Sequence, residues 1–269
     1  MTEAPAIPVP SVSRWEGNAD FWVRIIRERR DRYRTELTDE AVLAAADPCH
    51  GLDVLDAGCG EGYLTREMAR RGARQVTGAD LSPALIAAAQ AASPGQTAVR
   101  FREADVAALP FADASFDLAV VNHLLNDLPD ITAPADEFAR VLRPGGRLVI
   151  LMLHPCFYGY RAERQEIRRT LPVADYFAPR VIEQRFEVDG IVSPDRTVTW
   201  VRPLEAYTEA ITSSGFCITG LTEPHPSAAQ LAASEWWREN FPRPLFIMIT
   251  AQRSDHARSL RSCDQVSKS

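Results

Sequence analysis

Val54-Leu55-Asp56-Ala57-Gly58-Cys59-Gly60-Glu61-Gly62-Tyr63 is an apolar run that ends in a carboxylate and passes into alternating glycines. The run reads as a β-strand, and the glycines let the chain reverse without side chains in the way. Leu64 to Arg71 then reads as a helix whose first amide groups face the turn, which is the chemistry of a nucleotide-binding loop. Spacing narrows the ligand. A dinucleotide fingerprint requires G-x-G-x-x-G, and Tyr63 stands where its third glycine belongs, so the reading as a nicotinamide dehydrogenase is set aside.

Twenty residues beyond Gly60, the run Arg74-Gln-Val-Thr-Gly-Ala-Asp80 ends a second strand in a carboxylate, where a ribose diol can donate two hydrogen bonds. The bland role for such an Asp is to cap the next helix. Here Ser82 is a good N-cap and Pro83 suits the first helical position, so Asp80 is released from that duty. A third run, Ala98 to Asp105, repeats the arrangement, and Asp105 can accept from an adenine amino group or simply end a strand in solvent.

With the later turn Arg143-Pro-Gly-Gly-Arg147, these acidic strand ends and the glycine turn resemble the class I S-adenosylmethionine-dependent methyltransferases over residues 50–153. The resemblance implies an α/β fold with a Rossmann-like seven-stranded, mostly parallel sheet, an antiparallel C-terminal hairpin and an inserted lid. It implies S-adenosylmethionine as cofactor. Asp56, Gly58, Cys59 and Gly60 would meet its methionine end, Asp80 and Leu81 the ribose, Asp105 and Val106 the adenine, and Asn122 the amino group through its carbonyl. The implied activity is methyl transfer to an oxygen, nitrogen or carbon of a small molecule, in specialised metabolism. A non-methylating cyclase or an S-adenosylmethionine-binding protein on the same scaffold is the competing reading.

Composition is compatible with one large domain. The chain has 269 residues, 46% of them hydrophobic. Its longest clear apolar run, Leu148 to Leu153, is far shorter than the roughly 20 residues of a membrane helix, so no membrane partner is expected. A net charge of -6 argues against a nucleic-acid partner, whose phosphates call for clustered Lys and Arg. The arginine-rich stretches 24–34 and 161–169 are interleaved with acidic residues, as on solvated helix faces. Five cysteines form no C-x-x-C pair, which fits neither a disulfide framework nor a zinc site; no metal is expected. A small-molecule methyl acceptor is the expected partner, self-association is left open, and a cytoplasmic location is expected because residues 1–10 carry three prolines and no leader pattern.

The expected organisation is a disordered N-terminus (1–13), a methyltransferase domain (14–253) and a disordered tail (254–269). Within the domain, cap helices occupy 14–50, one over 18–36 and another over 37–46, and a lid insertion occupies 154–202. Strands are expected at 53–56, 75–79, 99–103, 116–121, 148–153, 216–221 and 245–251, with helices between most of them. In the lid, 181–188 and 196–201 read as one hairpin about Asp189-Gly190.

Methyl transfer from a sulfonium needs mainly alignment and exclusion of water. A hydroxyl acceptor also profits from a base, and His123 after the fourth strand and His154 after the fifth are the catalytic candidates; each can equally be a packing or capping histidine. Aromatic faces attract cations, which makes Trp15, Trp22, Tyr33, Tyr158 and Tyr176 eligible to meet a ligand, with Trp22, Tyr158 and Tyr176 the substrate candidates beside Arg202, although most aromatics are core.

Overall fold

A computed structural model of the chain describes residues 15–157, 176–178 and 180–254. The expected disorder at 1–13 and in nearly all of 254–269 lies outside these residues, as do Tyr158 and much of the proposed lid.

β1 (Asp53–Ala57), β2 (Gln75–Asp80) and β3 (Val99–Glu103) are joined by α3 (Tyr63–Arg70) and α4 (Pro83–Ala91), after the cap helices α1 (Ala19–Arg27) and α2 (Asp39–Ala46). β4 (Phe116–Asn122), α5 (Thr132–Val141) and β5 (Leu142–Leu153) follow. The lid strands β6 (Arg180–Gln184), β7 (Glu187–Val188), β8 (Ile191–Val192) and β9 (Thr197–Val201) precede α6 (Leu204–Ser213), β10 (Phe216–Thr222), α7 (Ala228–Ala233), α8 (Glu235–Asn240) and β11 (Phe246–Arg253).

Seven strands form one sheet in the order β10-β11-β5-β4-β1-β2-β3. β1 runs parallel to both β2 and β4, while β11 is antiparallel to β5 and β10. The order turns back between β1 and β4, and at such a switch point the strand ends leave a crevice. Two apolar layers cover the sheet, one centred on Phe138, Ile150 and Tyr207, the other on Leu64, Met68 and Leu151. Burial on both faces is why the central strands read as nearly continuous apolar runs.

The expected helix over 18–36 is broken. α1 ends at Arg27, Arg29 adopts φ 54, and Asp31 Oδ1 accepts from the Tyr33 and Arg34 amides to start a new segment. That segment opens with a π-helical turn, Arg34–Thr38, and runs on into α2. Arg147 then grips the end of α2, donating to the carbonyls of Ala46, Asp47 and Pro48 at 2.8, 3.0 and 2.6 Å. The Ala46 carbonyl is one that the helix C-terminus leaves unpaired, and the other two belong to the chain just beyond it.

The lid is also finer than one hairpin. β6 pairs with β9, while β7 and β8 make a separate two-residue ladder about Asp189-Gly190, both with positive φ. Pro194, which has no N–H to donate, sits in the interruption between the two ladders. β5 starts earlier than expected, at Leu142, because the Arg143-Pro-Gly-Gly turn is taken into the strand as an irregularity in its pairing with β4.

Candidate active site

Gly58, Gly60 and Gly62 take φ values of 73, 56 and 78°, and a Cβ on Gly62 would meet the Phe101 ring at 2.5 Å. Only glycine satisfies both demands. The turn is tied to the next strand: the Gly58 and Cys59 amides donate to the Ala79 carbonyl at 2.7 and 3.0 Å. Asp80 accepts from the Gly60 amide through one carboxylate oxygen and from the Ser82 amide through the other, both at 2.9 Å. Burial pushes its carboxyl up, against the pull of those amides.

These residues open onto a cavity of about 760 Å³ at the carboxyl ends of the strands. Gly58, Cys59, Gly60, Asp80, Leu81, Asp105, Val106 and Asn122, all cofactor candidates from the sequence, lie in its wall. So do His123 and Trp22. Asp105 is exposed and spends one carboxylate oxygen on the Ala107 amide at 2.9 Å. Asn122 donates through Nδ2 to the Tyr63 hydroxyl at 2.8 Å, and Tyr63 donates onward to Asp39 at 3.0 Å. Asn122 Oδ1 and Trp22 Nε1 are buried and have no hydrogen-bond partner among the described residues. A buried polar atom left unpaired costs about 1–3 kcal/mol, so each is a place for a ligand group.

Four sequence candidates stand elsewhere. Asp56 lies behind the turn, 1% exposed, and accepts from Thr65 Oγ1 at 2.6 Å; burial pushes its carboxyl up to about 7. His154 is a structural linker: Nδ1 accepts from the Cys156 amide at 3.1 Å and Nε2 meets Glu223 at 2.8 Å. Both ring nitrogens are therefore occupied, and it does not line the cavity. Tyr176 accepts from the Leu204 amide at 2.9 Å, and Arg202 donates to the carbonyls of Leu128 and Pro129 at 2.5 and 2.7 Å. Neither reaches the cavity, so the roles expected for them as substrate contacts are not supported by their positions.

His123 is the histidine the cavity does receive. It has φ 58, packs edge-on against Phe246 at 5.4 Å, and is held down to about 3 by burial and by the Arg34 guanidinium. It is neutral at any physiological pH and a poor proton acceptor, though its ring still accepts a hydrogen bond.

Trp15, Trp22 and Tyr33, aromatics the sequence offered for a cation, line the cavity, but sequence reading missed the rest of the roof: Arg34, Phe186, Asp189, Trp236 and Asn240 come to it from segments far apart in the chain. In that roof, Trp22 packs on Trp15 at 5.6 Å and on Phe186 at 5.5 Å. Asn18 fastens the lid there, donating to the Asp195 carbonyl at 3.2 Å and accepting from its amide at 2.9 Å. Arg30 reaches Asp189 at the lid tip at 2.7 Å. Asp127, in the turn after β4, also lines the cavity, its carboxyl pushed well above the usual range by burial and by Asp80.

A glycine turn, a carboxylate at the next strand end and an unpaired acceptor at the end of β4, all on one crevice, define a nucleoside-binding α/β protein. The methyltransferase domain family matches residues 55–150. An S-adenosylmethionine dependent methyltransferase from Mesorhizobium loti superposes with a TM-score of 0.64 at 30% identity, over 80% of this chain and 96% of that one. The chain belongs to the class I S-adenosylmethionine-dependent methyltransferases. Among curated relatives, a malonyl-[acyl-carrier protein] O-methyltransferase from Erwinia pyrifoliae is 36% identical over 146 residues, 54% of each chain. A demethylmenaquinone methyltransferase from Desulfitobacterium hafniense is 38% identical over 117 residues, 41% of this chain and 46% of that one. The chain thus spans about half the length of the curated relatives it matches.

The residues present fit the cofactor of that class: unpaired Asn122 Oδ1 suits an ammonium, and Asp80 can still accept from a diol. Among the described residues no group of three or more His, Cys, Asp or Glu is arranged to hold a metal, and no helix is long and apolar enough to cross a membrane.

Proposed function

We propose that this chain transfers the methyl group of S-adenosylmethionine to a small molecule. The observation that carries the reading is the unpaired Asn122 Oδ1, buried beside the glycine turn and on the same cavity wall as Asp80. In this reading Asp80 holds the ribose diol, Asp105 and Val106 the adenine, Asn122 the ammonium, and Gly58 to Gly60 the rest of the methionine end. The bound cofactor supplies a methyl group already activated on a sulfonium.

The protein's own work is then positional. Trp15, Trp22 and Phe186 cover one side of the cavity and Tyr33, Trp236 and Phe246 the other, which excludes water and holds the acceptor in line. His123, neutral and beside Asn122, offers a hydrogen-bond acceptor rather than a strong base. Acceptance of a small molecule agrees with a cavity of about 760 Å³, within the common range for such ligands.

Incubation with S-adenosylmethionine and a library of small hydroxyl, amine and carbon acceptors tests the reading. Formation of S-adenosylhomocysteine with a product heavier by one methylene supports it. Tight cofactor binding with acceptors converted but no S-adenosylhomocysteine released supports the cyclase reading instead.

A further inference from the structure

Sheet order divides the cavity in two. The ends of β1, β2 and β3 bring the glycine turn, Asp80 and Asp105 to one half, whereas the ends of β4 and β5 and the start of β11 bring His123, Leu153 and Phe246 to the other. The second half is walled by flat rings: Tyr33 lies 4.9 Å from Trp236 and 5.7 Å from Phe246, and Phe246 lies 5.4 Å from His123. The Tyr33 hydroxyl is already committed to the Asn240 carbonyl at 2.8 Å, so the wall it presents is its face.

Two guanidiniums reach this half: Arg32 stacks over Trp236 at 4.5 Å with its charge paired to Glu36 at 2.7 Å, and Arg34 is the buried one. Arg34 is only 9% exposed, lies 3.8 Å over the Tyr63 ring and lines the cavity. Its ion pair with Asp39 is loose, at 3.5 Å, and Asp39 also receives the Tyr63 hydroxyl. Asp31, at the rim, gives an oxygen to the Tyr33 and Arg34 amides. Asp127, in the turn after β4, also lines the cavity, but burial and Asp80 push its carboxyl towards the neutral form, so it offers an amine no full charge. A cationic amine entering between the rings would meet Arg34 and a neutral imidazole; an acidic oxygen would be attracted.

We propose that the acceptor is a planar, unsaturated ring compound bearing an acidic oxygen, a carboxylate or a phenolic hydroxyl, and that Arg34 selects it against amines. This deepens the methyl-transfer reading and rests on it. The acceptor oxygen uses a lone pair to form the new O–C bond as the S–C bond breaks with its electrons staying on sulfur. A carboxylate enters without a proton; a phenol gives its proton to solvent, a loss that Arg34 favours.

The test uses the whole chain with saturating S-adenosylhomocysteine and three matched probes: 2-naphthoate, 2-naphthol and 2-naphthylmethylammonium, followed by tryptophan fluorescence and calorimetry. Naphthoate is expected to bind about tenfold or more tighter than the ammonium. Arg34→Gln should abolish that preference, and Trp236→Leu, on the partly exposed α8, should weaken naphthoate and naphthol alike. Equal binding of naphthoate and ammonium to the unmodified chain, or Trp236→Leu binding that is unchanged, overturns the proposal even where Arg34→Gln fails to fold. Calorimetry of S-adenosylhomocysteine alone comes first: no binding there sinks the methyl-transfer reading itself, whereas binding with the wrong ring preference sinks only the acceptor class.

Discussion

Asn122 gives its amide N–H to the Tyr63 hydroxyl at 2.8 Å and keeps its amide oxygen buried and unpaired. The last residue of β4 is thereby fixed by the first residue of α3, the helix that the glycine turn opens. An unpaired acceptor is a cost to the free protein and an asset once a donor arrives. Asn122→Leu should change the melting temperature of the free protein little, because it removes an orphaned acceptor and the hydrogen bond to Tyr63 together. It should also cut the rise in melting temperature produced by S-adenosylhomocysteine, by an affinity loss of about 1–3 kcal/mol. Thermal shift with and without ligand measures both, and a full ligand-induced rise in the variant counts against the role.

Asp80 has two tasks, holding the Gly60 and Ser82 amides and facing the cavity. Asp80→Ala should weaken S-adenosylmethionine by about 2 kcal/mol or more through lost charge-assisted hydrogen bonds. Asp80→Asn, which keeps one acceptor oxygen, should lose less. Isothermal calorimetry of the two variants against the unmodified chain gives the ranking.

His123 and Asp56 pull stability in opposite directions with pH. Held down to about 3, His123 binds fewer protons folded than unfolded between pH 3 and its ordinary 6.5, so its contribution is full above 6.5 and is lost as pH falls through that window. Asp56, pushed up to about 7, binds more protons folded than unfolded above its ordinary 3.8, so its contribution is lost as pH rises from there towards 7. His123→Gln should therefore unfold less readily than the unmodified chain on acidification from 6.5, relative to their difference at neutral pH. Urea titrations at pH 7.5, 6 and 5 measure that difference, and parallel lines would count against a buried neutral imidazole.

Asp127 gives a separate test with the cofactor. Its carboxylate is disfavoured in the free site, and a nearby sulfonium favours it, so binding S-adenosylmethionine should release protons where binding uncharged-sulfur S-adenosylhomocysteine releases fewer. Affinity for the sulfonium form should then rise with pH relative to the thioether form. Asp127→Asn should remove the difference, as read by calorimetry in buffers of unlike ionisation enthalpy.

Asn18 is fully buried, and its side-chain amide both donates to and accepts from the Asp195 backbone. Asn18→Ala should destabilise the chain by about 1–3 kcal/mol. The Arg30–Asp189 pair, at 32% and 58% side-chain exposure, should contribute little, because solvent screens it. Denaturant unfolding of Asn18→Ala and Asp189→Ala separates the two fastenings.

The sheet was legible because its signals are local. A strand, a glycine triplet and a helix are written within Val54 to Arg71, and Asp80 and Asp105 each close a short strand-like run. The roof was not legible because no local signal sets it. Arg29 breaks the first cap helix at φ 54 without a glycine or proline to announce it, and Tyr33 finds Trp236 some two hundred residues later. His154 read as a candidate base since Glu223, which occupies it, is 69 residues away. Arg202 was likewise claimed by carbonyls of the turn after β4. Period and spacing report a residue's neighbours along the chain; such pairings belong to the folded surface alone.

The roof is fastened at two separate places. Asn18 and Arg30 hold the first cap helix and the residues after it to Asp195 and Asp189, while Tyr33 and Glu36 hold the ring-lined side to α8 through Asn240 and Trp237. Two separate fastenings predict that neither reactant must wait for the other, so turnover should follow random-order rather than compulsory-order kinetics, as product-inhibition patterns would show.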